Sequence, residues 1–266
     1  MRDYRQLVPT TQEWTFDGFD GQRVARTWPA GQARYLALLC HGYGEHIGRY
    51  EDVARTLTEH GGTVCGVDHV GHGKSAGERV MIEDFDQVVG DFHVLADRAR
   101  ADHPGLPVLL IGHLMGGLIG TRFAQRYTEE LAGLVLSGPV LGRWDIVSDL
   151  LAHDPIPATP IDPQTLSRDP AVGKAYQDDP LVWHGDFRRP TLLALQSALD
   201  KINNDGPLGD LPTLWIHGED DQLVPIGATR EGVARVRSVH LAQHTFPGAR
   251  HEVFNLDPPA CILISG

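Results

Sequence analysis

Short apolar runs alternate with longer stretches of helical periodicity along most of this chain. Trp14–Asp17 and Arg23–Trp28 alternate in polarity around the Gly18–Gly21 break, which predicts an antiparallel hairpin. Tyr35–Cys40 is almost wholly apolar, the pattern of a strand buried on both faces of a parallel sheet. Helical spacing at Tyr50, Val53, Ala54 and Leu57 stops at Gly61-Gly62, and a strand follows at Thr63–Val67. Phe85, Val88, Val89, Phe92, Leu95, Ala96 and Ala99 line one face of a helix predicted over Glu83–Ala101. Val108–Ile111 and Leu134–Leu136 read as strands, with a helix between them carrying Leu118, Ile119, Phe123 and Tyr127. Thr213–His217, a helix near Ile226–Val236 and Val239–Phe246 close the series. Repeated strand–helix alternation predicts an α/β fold: a mostly parallel central sheet with helices on both faces.

The rhythm breaks between about Gly142 and Gly209, where Pro, Asp and His are frequent and only Asp145–Ala152 and Thr191–Lys201 look helical. Pro155-Ile156-Pro157-Ala158-Thr159-Pro160 excludes a helix interior. An insertion of this size within a core pattern reads as a cap or lid. The organisation expected is therefore one domain over residues 1–266, with a cap at about 142–209. Ile146, Val147, Leu150 and Leu151 make a short apolar stripe that either packs on the core or meets a lipid surface.

Composition narrows the function. A net charge of −12 without a Lys/Arg-rich run excludes a nucleic-acid binder, which needs basic density to displace counterions. No apolar stretch approaches the roughly 20 residues of a membrane span, and Met1–Thr10 lacks the apolar core of a signal peptide, so a cytoplasmic protein is expected. Cys40, Cys65 and Cys261 follow no metal-site or disulfide spacing. Asp68 with His69 and His72, or His41 with His46, lack the ligand number and spacing of a zinc site, so no metal is expected. Nothing in the sequence sets an oligomeric state.

Chemistry gathers in the loops after the predicted strands, where open α/β sheets bind ligands. Gly112-His113-Leu114-Met115-Gly116 lies between a strand and a helix, the setting of a nucleophile elbow. With His41-Gly42-Tyr43-Gly44-Glu45-His46, Gly71-His72-Gly73-Lys74-Ser75, Leu166-Ser167-Arg168-Asp169-Pro170, Tyr176 to Leu181, His217-Gly218-Glu219-Asp220-Asp221 and His251-Glu252-Val253-Phe254-Asn255, it resembles the monoacylglycerol lipase group of the α/β-hydrolases. The resemblance runs in order from about residue 12 to 255. It implies an eight-stranded hydrolase sheet, a lipid-facing cap with transient membrane-surface contact, no cofactor, and hydrolysis of monoacylglycerol or a similar lipid ester.

By the same resemblance His251 is the catalytic histidine and Asp221 its carboxylate, chosen over Asp220 and Glu219 by spacing from Gly218. The backbone N–H groups of Tyr43 and Met115 form the oxyanion hole. Two features depart from the family. It carries serine at the elbow, where this chain has Leu114, and it continues after Asn255 into a closing helix, where this chain reads Leu256-Asp257-Pro258-Pro259-Ala260. Leucine has neither a proton to lose nor a lone pair to attack with. Losing the nucleophile costs about 10⁶-fold in turnover, and neither Ser75, in a structural turn, nor Ser137, at a strand end, replaces it. The chain as written is expected to be an inactive or severely impaired lipase. The alternatives are a non-catalytic lipid-binding pseudoenzyme on the same scaffold or a related lysophospholipase or esterase. Epoxide hydrolases need aspartate at the elbow, which is also missing. An engineered change, a natural non-catalytic relative and a sequence error all remain open as origins of Leu114.

Overall fold

A computed structural model describes residues 10–256. Cys261 and the stretch where the resemblance expects a closing helix lie outside the described residues. In chain order the elements are β1 (Gln12–Gly18), β2 (Gly21–Trp28), β3 (Tyr35–Cys40), α1 (Glu51–Glu59), β4 (Gly62–Val67), α2 (Phe85–Asp102), β5 (Val108–His113) and α3 (Met115–Arg126). They continue with β6 (Gly133–Ser137), α4 (Asp145–Leu151), α5 (Pro170–Asp178), α6 (Arg189–Asn204), β7 (Thr213–Gly218), α7 (Ile226–Val236) and β8 (Leu241–Phe246).

The strands form one eight-stranded sheet in the order β1-β2-β4-β3-β5-β6-β7-β8. The pairs β1–β2 and β2–β4 are antiparallel and every other neighbour is parallel. Alternation along the strands divides the core in two. Leu36, Leu38, Cys40 and Leu110 join the larger cluster with α2, α3, α6 and α7, while Ala37, Leu39, Ile111 and Ile216 join the smaller one under α1. The expected hairpin closes through Phe19-Asp20, with Gly21 at φ 87°.

The expected elements are present. Strand β8 starts two residues late, because the chain is still turning at residues 238–240, where Ser238 Oγ accepts the His240 N–H. One helix was not expected. In α5, Asp169 caps the N-terminus by accepting from Ala171 N–H, and Pro170 takes the first turn, where its missing N–H costs nothing. Only Tyr176 of that helix is buried, so no apolar period announced it.

Within residues 142–209, Val147 and Leu150 of α4 are buried, and Ile146 and Leu151 pack half-buried on the same cluster beside α6. The apolar stripe therefore faces inward in this conformation. Helix α6 packs on α2, α3 and α7, so the last part of the insertion shares the main core.

Candidate active site

Strand β5 delivers the chain into Leu114, which caps the N-terminus of α3 with φ 52° and ψ −113°. Positive φ is strained for a residue with a Cβ, at about 1–3 kcal/mol, and the neighbouring glycines permit the turn. A Cβ on Gly112 would stand 2.3 Å from the Gly116 carbonyl oxygen, and one on Gly116 only 1.9 Å from that of Cys40. The Leu114 N–H donates to Ser137 O at 3.1 Å, and its carbonyl accepts from Gly117 and Val140 N–H at 3.1 and 3.0 Å. Its side chain is 4% exposed and belongs to the main core.

Strand β7 and the following turn place Asp221. Its Oδ1 accepts the Leu223 and Val224 N–H groups, both at 2.9 Å. Its Oδ2 accepts from His251 Nδ1 at 2.7 Å, and both side chains are fully buried. His217 Nε2 stands 3.1 Å from the same oxygen. Trp215 Nε1–H donates to His217 Nδ1 at 3.2 Å, so His217 carries its proton on Nε2 and donates to Val224 O at 2.8 Å. Asp220 instead pairs with Arg168 at the surface, and Glu219 accepts from Thr245 Oγ1, so of the three neighbouring acids Asp221 alone reaches His251.

The turn after β3 passes over the elbow. A Cβ on Gly42 would lie 3.1 Å from Leu114 Cβ. Gly42 N–H is taken by Glu45 Oε1 at 2.6 Å, whereas the Tyr43 and Met115 N–H groups have no acceptor among the described residues. The insertion holds this turn from above. Trp183 N–H donates to Gly44 O at 2.7 Å, His46 Nε2 pairs with Asp179 Oδ2 at 2.8 Å, and Tyr43 stacks on Phe187 with centroids 4.8 Å apart.

Electrostatics sets the two halves of the dyad apart. Burial works against a charge on His251, but the Asp221 carboxylate outweighs it and raises the imidazole above its ordinary 6.5. Burial likewise opposes ionisation of Asp221, yet the His251 charge and hydrogen bonds from His217 and His251 hold it well below the usual carboxylate range. The next ring, His113, lies 4.6 Å from His251 and is pushed down to about 3, mainly by burial. His251 Nδ1–H is thus committed to Asp221, and its Nε2 has no partner among the described residues. A neutral imidazole held in this way can accept a proton at Nε2.

His41, His69 and His72 form a buried stack beside the first turn, with His41–His69 centroids 4.2 Å apart and His41–His72 5.5 Å. His69 N–H donates to His41 Nε2 at 3.1 Å, so His41 Nδ1–H donates to Gly42 O at 2.8 Å, and these rings brace turns. Among the described residues, the side chains grouped at metal-ligand spacing are His93, Asp97 and Glu130 on the α2 side, where Arg100 already pairs with both carboxylates. Glu45, Arg49, Glu252, His46 and Asp179 also serve the site, and sequence reasoning missed them. Glu45, His46, Asp179 and Glu252 stood inside the quoted motifs without a role, and Arg49 lay outside them.

The family model described as serine aminopeptidase, S33, matches residues 31–258. The chain is 37% identical over 257 residues to the monoacylglycerol lipase of Mycolicibacterium smegmatis, covering 92% of each chain. The chain belongs to the monoacylglycerol lipase group of the α/β-hydrolases. Within this group it is also 34% identical over 216 residues to the human monoglyceride lipase, covering 77% of this chain and 71% of the human one. The α/β-hydrolase fold is shared with a soluble variant of the Saccharomyces cerevisiae monoglyceride lipase (TM-score 0.76, 22% identity, 94% and 90% coverage). It is shared equally with a thermostable carboxyl esterase from Bacillus coagulans (TM-score 0.78, 23% identity, 94% of each chain). Among the described residues of this group member, no helix is long and apolar enough to cross a membrane.

Proposed function

We propose that this chain is a monoacylglycerol-lipase-type ester hydrolase whose machinery is complete except for the attacking atom. In that reaction an elbow hydroxyl attacks the ester carbonyl while His251 Nε2 takes its proton. The Tyr43 and Met115 N–H groups receive the oxyanion, each such donor contributing roughly 3–4 kcal/mol. His251 then returns the proton to the departing glycerol oxygen, and the fatty acyl group waits on the enzyme for water. Leu114 supplies no hydroxyl, so the chain polarises an ester carbonyl and stops there.

The observation that carries this reading is the Asp221–His251 pair at 2.7 Å, with Nε2 unpartnered among the described residues, beside an elbow whose backbone is intact and whose side chain is hydrocarbon. Residues 142–209 act as the cap, and the α4 stripe, packed inward on the core, is not the surface that would meet a membrane. Glycerol release from monoacylglycerol by the chain as written and by Leu114→Ser tests the reading. The chain as written should release none and resist fluorophosphonate labelling, while Leu114→Ser should label and turn over. Hydrolysis by the unaltered chain that His251→Ala abolishes refutes the assignment of Leu114, and a folded but unreactive Leu114→Ser refutes the lipase reading.

The same hydrocarbon elbow favours a second reading, a pseudoenzyme that binds lipid esters without consuming them. Saturable binding of a non-hydrolysable monoalkylglycerol ether by the unaltered chain separates it from a site that is merely disabled.

A further inference from the structure

Behind the dyad, Arg49 joins three segments that the fold brings in from separate parts of the chain. Its Nη1 donates to Glu45 Oε2 at 2.6 Å, and its Nη2 to Glu252 Oε1 at 2.9 Å. Its guanidinium lies 5.2 Å from the centroid of the Tyr176 ring in α5. Glu45 uses its other oxygen to hold Gly42 N–H at 2.6 Å and to accept from Tyr50 Oη–H at 2.7 Å. Gly42 immediately precedes the Tyr43 N–H proposed for the oxyanion hole, and Glu252 immediately follows His251. One side chain therefore ties the oxyanion turn, the histidine turn and the insertion together.

We propose that Arg49 is a positioning residue that locks the oxyanion turn to the histidine turn, and that Glu252 supplies the surplus negative charge favouring the imidazolium of His251. The charge count follows from the geometry. Both carboxylates are under a tenth exposed and Arg49 is 14% exposed, so two buried anions face one cation. Screening inside is weak, and the remaining negative charge acts on nearby groups. Around His251 stand Asp221 at 2.7 Å, His217 on the same Asp221 oxygen, the His113 ring 4.6 Å away, and its chain neighbour Glu252, which holds Arg49 and through it Glu45. The anions among them favour its charged form, with Asp221 the largest, then Glu252 and Glu45. The same cluster holds Glu45 down to about 2, where burial is outweighed chiefly by the Arg49 charge, with the Tyr50 hydrogen bond adding to it. A general base that becomes cationic in the transition state gains from this arrangement.

The activity arm of the test rests on the proposed function, while the spectroscopic arm does not. In the unaltered chain the His251 midpoint is followed by ¹³Cε1 NMR. Glu252→Gln keeps an acceptor for Arg49 and removes the charge, so the midpoint should fall by about half to one pH unit. In the Leu114→Ser background the acid limb of kcat/KM should move to lower pH by the same amount. There, Arg49→Lys keeps the charge but loses the fork, and kcat should fall about 10- to 100-fold with little change in KM. Far-UV circular dichroism establishes that each variant folds, and Glu252→Gln carries the test alone where Arg49→Lys does not fold. An unmoved His251 midpoint in Glu252→Gln overturns the charge assignment, and an unchanged kcat in folded Arg49→Lys overturns the lock. A Leu114→Ser enzyme without activity, combined with the expected NMR shift, sinks the lipase reading and leaves this one standing.

Discussion

Lowering the pH should unfold this protein earlier than its carboxylates alone would. His41, His72 and His113 are buried and held neutral by desolvation, with values lowered from 6.5 to about 4, 3 and 3. His69, also buried, is lowered well below the same starting value. A group whose folded value is depressed binds its proton only after unfolding. The stability it contributes is present above 6.5 and is lost as pH falls toward the folded value. Each such histidine costs about 1.4 kcal/mol per pH unit in that window, so the three with stated values cost about 4. By a pH of about 4.5 the summed loss is about 8 kcal/mol, the size of a typical domain's whole stability. His251 works in the opposite sense, because its raised value adds stability below 6.5 that disappears as pH rises. Asp221 and Glu45, both lowered, contribute above the usual carboxylate values and give way only at more acid pH. Urea unfolding at constant ionic strength checks the sum. With a slope of about 3 kcal/mol/M, the midpoint should fall by roughly 1 to 1.5 M between pH 7 and 5.5. The ¹³Cε1 shifts of these rings should stay at the neutral position until the chain unfolds. A flat midpoint across that range, or rings titrating near 6.5 in the folded protein, refutes the reasoning.

Three further outcomes follow from the packing. Leu114→Ser removes a buried leucine at a cost of about 2–4 kcal/mol and recovers part of that by pairing His251 Nε2, so Tm should fall by no more than about 10 °C in calorimetry even as turnover rises. Gly116→Ala forces a methyl to 1.9 Å from the Cys40 carbonyl oxygen, and soluble yield and Tm should drop more than for Leu114→Ser. Arg23→Met strands Asp91, whose carboxylate accepts from Arg23 Nε at 2.7 Å with Arg23 only 1% exposed. Chemical denaturation should register about 3–5 kcal/mol, and a loss below about 1 kcal/mol contradicts the burial argument.

The elements read most directly from sequence are those whose environment is uniform along their length. Strand β3, buried on both faces, appears as the unbroken apolar run Tyr35–Cys40, and α7 keeps its apolar period from Ile226 to Val236. Helix α5 escaped because a helix lying on the surface with one buried residue leaves no stripe, although its Asp169-Pro170 start is a capping signal. At the site, the glycines at 112 and 116 were legible because a close backbone approach excludes every side chain. The family spacing after Gly218 picked out Asp221, whose Oδ2 lies 2.7 Å from His251 Nδ1. The Glu45–Arg49–Glu252 cluster was not legible. Its Arg49–Glu252 pair spans 203 residues, and no local pattern encodes a contact made only when two loops meet.

The elbow makes little physical sense for a leucine. It holds Leu114 at φ 52°, spends two glycines on close approach, and leaves a buried His251 Nε2 without a partner among the described residues. Strain of about 1–3 kcal/mol and an unsatisfied buried nitrogen of similar cost are tolerable where a hydroxyl sits against that nitrogen and the geometry is used in every turnover. A leucine neither relieves the strain nor pairs with the nitrogen. A core evolved around leucine would gain stability from an ordinary turn and from an apolar residue at 251. The backbone at the elbow is the one that the proposed lipase reaction needs, and the side chain at 114 is the part that does not fit that proposal. A serine codon such as TCG becomes leucine through one base. Leu114→Ser should then recover both the partner for His251 Nε2 and the reactivity that partner confers.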